Sequence, residues 1–129
     1  MTAAGPDDAQ AVKADDLLFI PALMAAGREG LLPAAAVDPR QPYFSSSPEP
    51  QAEAIIDSIA QLCAAAGTSL ANVVRVLLFL TDIGDFYPVY KVWERRLGGG
   101  PLPFSAVEVP GPLPVPGATV MMEAWAYAP

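Results

Sequence analysis

Apolar residues recur along the chain at two different spacings, which together predict several strands and two helices. The run LLFI at 17–20 follows two aspartates and has the length and flanks of a buried strand. Pro21 comes directly after this run and lacks the N–H that a central strand needs, so we expect a sheet edge or a bulge there. The segment Val73–Leu80 is almost continuously apolar and rich in β-branched residues, which is typical of a central strand covered on both faces.

Two other segments place apolar residues at helical spacing. The first helix begins after Ser47, a suitable N-cap residue, with Pro48 at the first helical position, and it ends at Gly67. The second is capped by Asp82 or Asp85 and ends at a run of three glycines. The apolar positions of the first are Ala52, Ile55, Ile56, Ile59, Leu62, Cys63 and Ala66, and those of the second are Phe86, Val89, Tyr90, Trp93 and Leu97.

Two more apolar runs, at 104–109 and 119–127, predict strands near the carboxyl end. Residues 25–48 are rich in glycine, proline and serine, so we expect a long loop, and residues 1–10 are expected to be flexible. The element order is then strand, loop, helix, strand, helix, strand, strand. This order predicts one α+β domain over 1–129, with two helices packed on one face of a sheet.

The composition suggests how the other face of that sheet is covered. Hydrophobic residues make up 53% of the 129 positions and charged residues only 16%, against about 25% in an average domain. Such a chain is too apolar to be intrinsically disordered, and it has few charged groups with which to cover its own surface. We therefore expect a second copy of the same chain to cover the free sheet face.

Charge and residue types exclude several functions. A net charge of −7 argues against nucleic acid and against anionic membrane surfaces, because both are bound by basic patches. The chain has no histidine and one cysteine, which excludes Ser-His-Asp catalysis, an internal disulfide and a zinc cluster. Its carboxylates lack the spacing of a calcium loop, so no metal is expected. The acidic start differs from a signal peptide and the longest apolar run is too short to span a bilayer, which predicts a cytoplasmic protein.

Glu123 is the carboxylate best placed for proton chemistry. It lies in the last predicted strand, where alternation puts on one face Met121, Glu123, Trp125 and Tyr127. A carboxylate between a methionine and two aromatic residues is partly desolvated, which suits it to donate or accept a proton near neutral pH. The alternative is a glutamate that accepts hydrogen bonds at an interface and does no chemistry.

Five other residues have a structural interpretation beside a functional one. Glu108 is expected at a solvated or edge position, because glutamate is almost never fully buried without a partner. Arg75 is expected to pair with a carboxylate at the end of its strand rather than to bind substrate. Tyr90 and Trp93 lie on the apolar stripe of the second helix, where core packing is the alternative to a ligand platform. Cys63 is expected to be a buried thiol rather than a nucleophile.

Several short motifs match the sequence pattern of a known family. They are AAAGTSL at 64–70, VVRV at 73–76, FLTD at 79–82, SAVEV at 105–109 and EAWA at 123–126. In these motifs the chain resembles the Rid family, the YjgF/RidA-type reactive-intermediate imine deaminases. The resemblance extends over nearly the whole chain.

The resemblance implies a fold, an assembly and a chemistry. Rid proteins have a chorismate-mutase-like fold, in which a mixed β-sheet carries two helices on one face, and they form homotrimers with three clefts at the subunit interfaces. The deaminating members hydrolyse 2-iminoacids and their enamine tautomers without a cofactor. An arginine binds the substrate carboxylate, and a glutamate in the last strand positions the attacking water. Other members have been described as endoribonucleases, which the net charge of −7 and the absence of histidine disfavour here.

Position by position, this chain keeps one part of the family pattern and departs from the rest. The family glutamate falls on Glu123. The arginine, which precedes a serine in the fifth strand, falls on Phe104, and the serine itself is Ser105. The other departures are Ala106 at a position often occupied by cysteine, Tyr90 for an asparagine, Pro21 and Ala22 for a Ser-Gly pair, and Asp8 for a tyrosine.

The loss of the arginine changes the expected substrate. Phenylalanine cannot form a bidentate contact with a carboxylate, and a 2-iminoacid placed beside Phe104 and Glu123 would be desolvated and repelled. We therefore expect poor deamination of small 2-iminoacids. The expected cleft is apolar and aromatic, which suits a small neutral or aromatic molecule. Its candidate lining residues are Phe104, Tyr90 and Trp125, with Ser105, Ala106, Pro21 and Ala22 as further binding residues.

One functional hypothesis and two alternatives remain. In the first, Glu123 is the general acid/base of a cofactor-independent enzyme that acts on an imine, enamine or enol-type intermediate by hydrolysis, tautomerisation or cyclisation. In the second, the trimer is not catalytic and binds a small ligand or a partner protein. In the third, the chain deaminates 2-iminoacids with a relocated anchor for the carboxylate, such as Arg28 or Arg40.

Overall fold

The computed structural model describes residues 11–27, 30–31, 48–98, 102–115 and 117–129. The segment 1–10, predicted to be flexible, and most of the predicted loop at 25–48 lie outside these residues. The strands are β1 (Val12–Ala14), β2 (Leu17–Leu23), β3 (Ala26–Gly27), β4 (Gly30–Leu31), β5 (Val73–Leu80), β6 (Phe104–Glu108) and β7 (Val120–Tyr127). The helices are α1 (Pro48–Ala65) and α2 (Phe86–Leu97).

Five of the strands form one mixed sheet in the order β1-β2-β7-β5-β6. Neighbouring strands are antiparallel except β5 and β6, which are parallel and are connected through α2. Strands β3 and β4 form a separate two-stranded hairpin. The last strand of the chain, β7, is therefore the central strand of the main sheet. This mixed sheet, with both helices packed on one face, confirms the predicted α+β, chorismate-mutase-like fold.

The helix ends follow the local signals in the sequence. α1 begins at Pro48, and Gly67 beyond its last turn has a φ of +80°, a left-handed conformation that glycine adopts without steric cost. α2 ends in the same way at Gly98, with a φ of +68°. Asp85 occupies the N-cap position of α2 but makes no side-chain cap. Asp82 instead accepts a 2.8 Å hydrogen bond from a backbone N–H in the short 3₁₀ turn before this helix.

The core lies between the two helices and the face of the sheet that they cover. Trp93 of α2 is fully buried, and its indole nitrogen lies 3.3 Å from the sulfur of Met122 on β7. Cys63 of α1 is buried in the same layer, and burial raises the pKa of its thiol to about 11. This is the structural thiol that the helical stripe predicts, because a group so rarely ionised is a poor nucleophile.

A buried polar side chain ties α1 to the central strand. Gln51 is fully buried, and its amide oxygen accepts hydrogen bonds from the backbone N–H groups of Thr119 and Val120, at 2.9 and 3.1 Å. Its amide nitrogen donates to the Thr119 hydroxyl at 3.0 Å. These bonds satisfy polar groups at the start of β7, which is the strand that carries Glu123.

Of the predictions for the strands, the one for Pro21 is confirmed and the one for Val73–Leu80 is met only in part. The pairing of β2 with β7 shifts register between Ile20 and Leu23, which confirms the bulge expected at Pro21, although β2 lies inside the sheet. The buried side chains of Val73–Leu80 face the helices, and no described element covers the other face of this strand, so the described residues do not supply the expected cover on both faces. The strand β1 has no signal in the sequence, because three residues are too few to show a period.

Candidate functional site

The face of the sheet that carries no helix is largely apolar, and we call it the free face. Alternation along β7 places Glu123 and Trp125 on this face, as predicted. Apolar side chains around them are partly exposed: Val12 is 59% exposed, Phe19 39% and Tyr127 46%. Exposed apolar surface of this kind makes the free face a candidate surface for binding another molecule.

A pocket of about 290 Å³ opens on the free face beside the bulge in β2. A bulge disrupts the ladder and bends the strand, which explains why the pocket forms at this place in the sheet. Among the described residues that line it, Glu123 is the one ionisable group. The lining residues are Val12 from β1, Phe19, Ile20 and Pro21 from β2, and Glu123 and Trp125 from β7.

Glu123 lines this pocket, and no side-chain partner for its carboxylate is found among the residues that the structure describes. It is half-buried, and its neighbour across the ladder on β5 is the apolar Leu77. The ion pairs found in the described part of the chain lie on the two helices, and none involves Glu123. A carboxylate held in this way can exchange a proton with a bound molecule.

Arg75 lies on the free face behind the pocket wall, and its described neighbours differ from one expectation. The residue opposite it on β7 is Trp125, and its guanidinium carbon lies 5.3 Å from the centroid of the Trp125 ring. On its other side, Nη2 donates a 3.2 Å hydrogen bond to the Ser105 hydroxyl on β6. The expected pairing with a carboxylate is not seen among the described residues, where strand register places an aromatic ring and a hydroxyl beside Arg75.

Phe104 belongs to an aromatic cluster on the helix-bearing side of the sheet. It pairs with Val76 of β5, whose side chain is buried under the helices. Its ring makes edge-to-face contacts with Phe86, Tyr90 and Trp93, at centroid distances of 6.5, 5.3 and 6.2 Å. This packing agrees with the core interpretation of Tyr90 and Trp93.

Within one chain, the predicted site residues fall into two groups. Those on the free face are Glu123, Trp125, Pro21 and Ser105, with Ala22 in the adjacent bulge. Those on the helix-bearing side, near the sheet edge formed by β6, are Phe104, Ala106 and Tyr90. The second group is not among the described residues that line the pocket with Glu123.

Sequence reasoning missed three apolar walls of the pocket, which are Val12, Phe19 and Ile20. Alternation along β2 contains a signal for Phe19, since it places that residue on the same face as Pro21. Val12 reaches the pocket only because β1 pairs with β2, where Val12 lies opposite Phe19. No local pattern predicts this pairing.

The other acidic residues form no second site in the described part of the chain. Glu108 is exposed on the edge strand, as expected, and accepts a 2.9 Å hydrogen bond from the backbone N–H of Ile83. Burial raises the pKa of Asp85, with a smaller contribution from the nearby charge of Asp82. No group of three potential metal ligands is found among the residues that the structure describes, and none of the helices described is long and apolar enough to cross a membrane.

Comparison with known proteins leads to the same family as the motifs. Residues 9–128 match the family model described as endoribonuclease L-PSP. The chain is 35% identical over 85 residues to the RutC family protein y4sK of Sinorhizobium fredii, and 28% identical over 86 residues to the chloroplastic Reactive Intermediate Deaminase A of Arabidopsis thaliana. These matches cover 65% and 67% of this chain, and 59% and 41% of those proteins. The chain thus spans about half the length of the curated relatives it matches.

A solved structure matches over almost the full length. RidA from the Antarctic bacterium Psychrobacter sp. PAMC 21119 superposes with a TM-score of 0.74 at 28% identity, covering 98% of this chain and 96% of that chain. The fold and the matches therefore define a protein of the YjgF class. The chain belongs to the Rid family, to which the endoribonuclease L-PSP model corresponds.

Proposed function

We propose that this chain is a diverged Rid-family enzyme that acts on a small imine, enamine or enol-type intermediate, with Glu123 as its general acid/base. The pocket itself is the observation that carries the proposal: one carboxylate faces a space whose other described walls are apolar. One relative is named a reactive intermediate deaminase, which supports chemistry of this class. The proposed reaction uses no cofactor.

In the proposed hydrolysis, Glu123 carries a proton from water to the substrate nitrogen. Its carboxylate takes a proton from a water molecule as the oxygen of that water adds to the carbon of a C=N bond. The carboxylic acid so formed gives the proton to the nitrogen, which yields a carbinolamine and restores the carboxylate. The carboxylate then moves the hydroxyl proton of the carbinolamine to its amino group, and the C=O bond forms as the C–N bond breaks. Ammonia or an amine leaves, and a carbonyl product remains. Tautomerisation and cyclisation use the same group to move a proton between two atoms of the substrate.

The walls of the pocket favour a neutral or aromatic substrate. Phe19, Pro21 and Trp125 offer apolar and aromatic surface beside the carboxylate. Phe104 stands where the family has its carboxylate-binding arginine. A substrate carboxylate beside Glu123 would lose hydration and be repelled, without that arginine to compensate. We therefore expect weak activity on small 2-iminoacids such as 2-aminoacrylate.

We propose that the complete cleft forms between copies in a homotrimer. The free face leaves apolar side chains exposed around the pocket, and the cluster of Phe104 and Tyr90 stands near the β6 edge of the sheet. When the free face of one copy contacts the β6 edge of the next, the exposed apolar side chains around the pocket are covered. The same contact brings Phe104 and Tyr90 of the next copy toward Glu123. Light scattering should find three times the chain mass of 13.5 kDa. A stable monomer would contradict this assembly.

Glu123→Gln tests the catalytic role directly. Glutamine keeps the size of the side chain but cannot take the proton. The assay follows release of ammonia and ketone from an aromatic ketimine without a carboxylate, with the spontaneous rate subtracted. General acid–base catalysis contributes typically about 10²–10⁴-fold, so we expect a loss of at least about 100-fold. Glu49→Gln makes the same substitution at an exposed position in the first turn of α1, away from the pocket and from β6, and is the matched control that should keep wild-type turnover.

A second substrate tests the substrate class. 2-Aminoacrylate, generated enzymatically from serine, is supplied with and without the protein, and release of the ketoacid is measured. Acceleration of the ketimine but not of 2-aminoacrylate supports the proposal. Acceleration of 2-aminoacrylate would mean that another residue anchors its carboxylate; Arg28 and Arg40 lie outside the described residues. Saturable binding with no product, unchanged in Glu123→Gln, would favour the non-catalytic alternative.

A further inference from the structure

Trp125 is the largest aromatic wall of the pocket, and a residue outside the lining lies over its ring. Strand register places Phe19 of β2 on one side of Trp125 and Arg75 of β5 on the other. The pocket opens on the β2 side, where Phe19 and Pro21 form further walls. On the β5 side, the guanidinium carbon of Arg75 lies 5.3 Å from the centroid of the indole.

We infer that Arg75 is a positioning residue, which holds the Trp125 indole in the orientation that shapes the pocket. The inference rests on the proposed function of this pocket and deepens it, because it names what fixes the surface on which a substrate packs. A cation over the face of an indole is attracted by the ring, and the planar guanidinium also stacks on it.

The Arg75 side chain is itself held from a third strand. Its Nη2 donates to the Ser105 hydroxyl on β6 at 3.2 Å, so the side chain spans β6, β5 and β7. Among the residues that the structure describes, Arg75 is the one cation on the free face, and none of the ion pairs found there involves it. In a single copy Arg75 is exposed, and the indole and the hydroxyl are the groups that the structure shows beside its guanidinium.

This arrangement indicates which class of substrate binds most favourably against the Trp125 ring. An indole of fixed orientation offers a flat apolar surface, on which a planar conjugated imine or enamine can stack. A small aliphatic substrate covers little of that surface. Arg75 thus contributes to specificity through Trp125, while proton transfer remains with Glu123. Loss of Arg75 should therefore raise KM for a planar substrate and leave kcat unchanged.

Acrylamide quenching of tryptophan fluorescence tests the inference in the intact chain. The chain has two tryptophans, and Trp93 is fully buried, so an aqueous quencher reports Trp125. Arg75→Met keeps the apolar stem and removes the guanidinium. It should raise the quenching constant, and KM for the aromatic ketimine, each by about two- to fivefold. Arg75→Lys keeps the cation but loses the planar guanidinium that stacks on the ring, so both values should lie between those of the wild type and of Arg75→Met.

The control and the contrary outcomes are well defined. Lys91→Met removes another cation–π contact, 5.8 Å above Tyr87 on the surface of α2, and should change neither value. Unchanged quenching in folded Arg75→Met overturns the inference, even if turnover falls. If Arg75→Met does not fold, the same measurement is made on Ser105→Ala, which removes only the hydrogen-bond partner of Arg75. Increased quenching of Trp125 in that variant supports the inference, and unchanged quenching overturns it. If Glu123→Gln keeps full turnover while Arg75→Met raises quenching, the proposed function fails and the positioning of Trp125 stands.

Discussion

Replacing Gln51 by methionine removes the polar side chain that fixes the start of β7. Gln51 is fully buried, and its amide oxygen accepts hydrogen bonds from the backbone N–H groups of Thr119 and Val120. Methionine has a similar volume, so the substitution leaves no large cavity. It leaves two backbone donors and the Thr119 hydroxyl without their partner.

The expected loss of stability follows from these unpaired groups. A buried donor without a partner destabilises the folded state by about 1–3 kcal/mol. The Val120 donor is buried and takes the full penalty, whereas the Thr119 groups are half-buried and regain some hydration. The free energy of unfolding should therefore fall by about 2–4 kcal/mol, out of the ~5–15 kcal/mol that is usual for a domain.

Urea denaturation followed by circular dichroism measures this loss as a lower midpoint at an unchanged slope. Gln61→Met makes the same substitution at an exposed position of the same helix, and should change the free energy by less than about 0.5 kcal/mol. Both variants are compared at one protein concentration, because assembly adds to apparent stability. Equal effects of the two substitutions would refute the reasoning.

Three positions outside the pocket give further tests. Burial raises the pKa of the Cys63 thiol from 9.0 to about 11, so its contribution to stability is complete below pH 9.0 and is lost as the pH rises through about 11. An aromatic disulfide reagent at pH 8 should modify Cys63 only on unfolding, and rapid reaction of the folded protein would contradict its burial. Gly67→Ala should lower the free energy of unfolding by about 1–2 kcal/mol, since φ is +80° there; an unchanged Tm would show that the left-handed turn is not needed. Phe104→Leu should reduce stability by about 1–2 kcal/mol in urea through loss of aromatic contacts, and no reduction would argue against the cluster.

The elements could be predicted because interactions within a few residues decide them. Pro48 and Gly67 bound the first helix in the sequence and in the structure. The alternation of β7 places Glu123 and Trp125 on one face whatever strand lies beside it. For the same reason, the bulge at Pro21 follows from its missing N–H.

The site could be predicted only in part. The motifs identify the family and bring in Glu123, whose role stays a prediction until the variant is measured. Which of the candidate binding residues lie together could not be predicted from the sequence, because that depends on strand pairing. Phe104 lies on the helix-bearing side since β6 pairs with β5 in a register that places it beside Val76. That register is a property of the assembled sheet.

By itself, the sequence determined the two helices, the strand segments β2, β5, β6 and β7, the family and the candidate acid/base, because caps, turns and periodicity act over a few residues. Only the tertiary structure decided that β7 is the central strand and that Val12 and Glu123 share a pocket. It also decided that Arg75 lies over the ring of Trp125. The physical reason is that sheet pairing joins segments far apart in the chain, and the register is set by packing against the common core rather than by any local pattern.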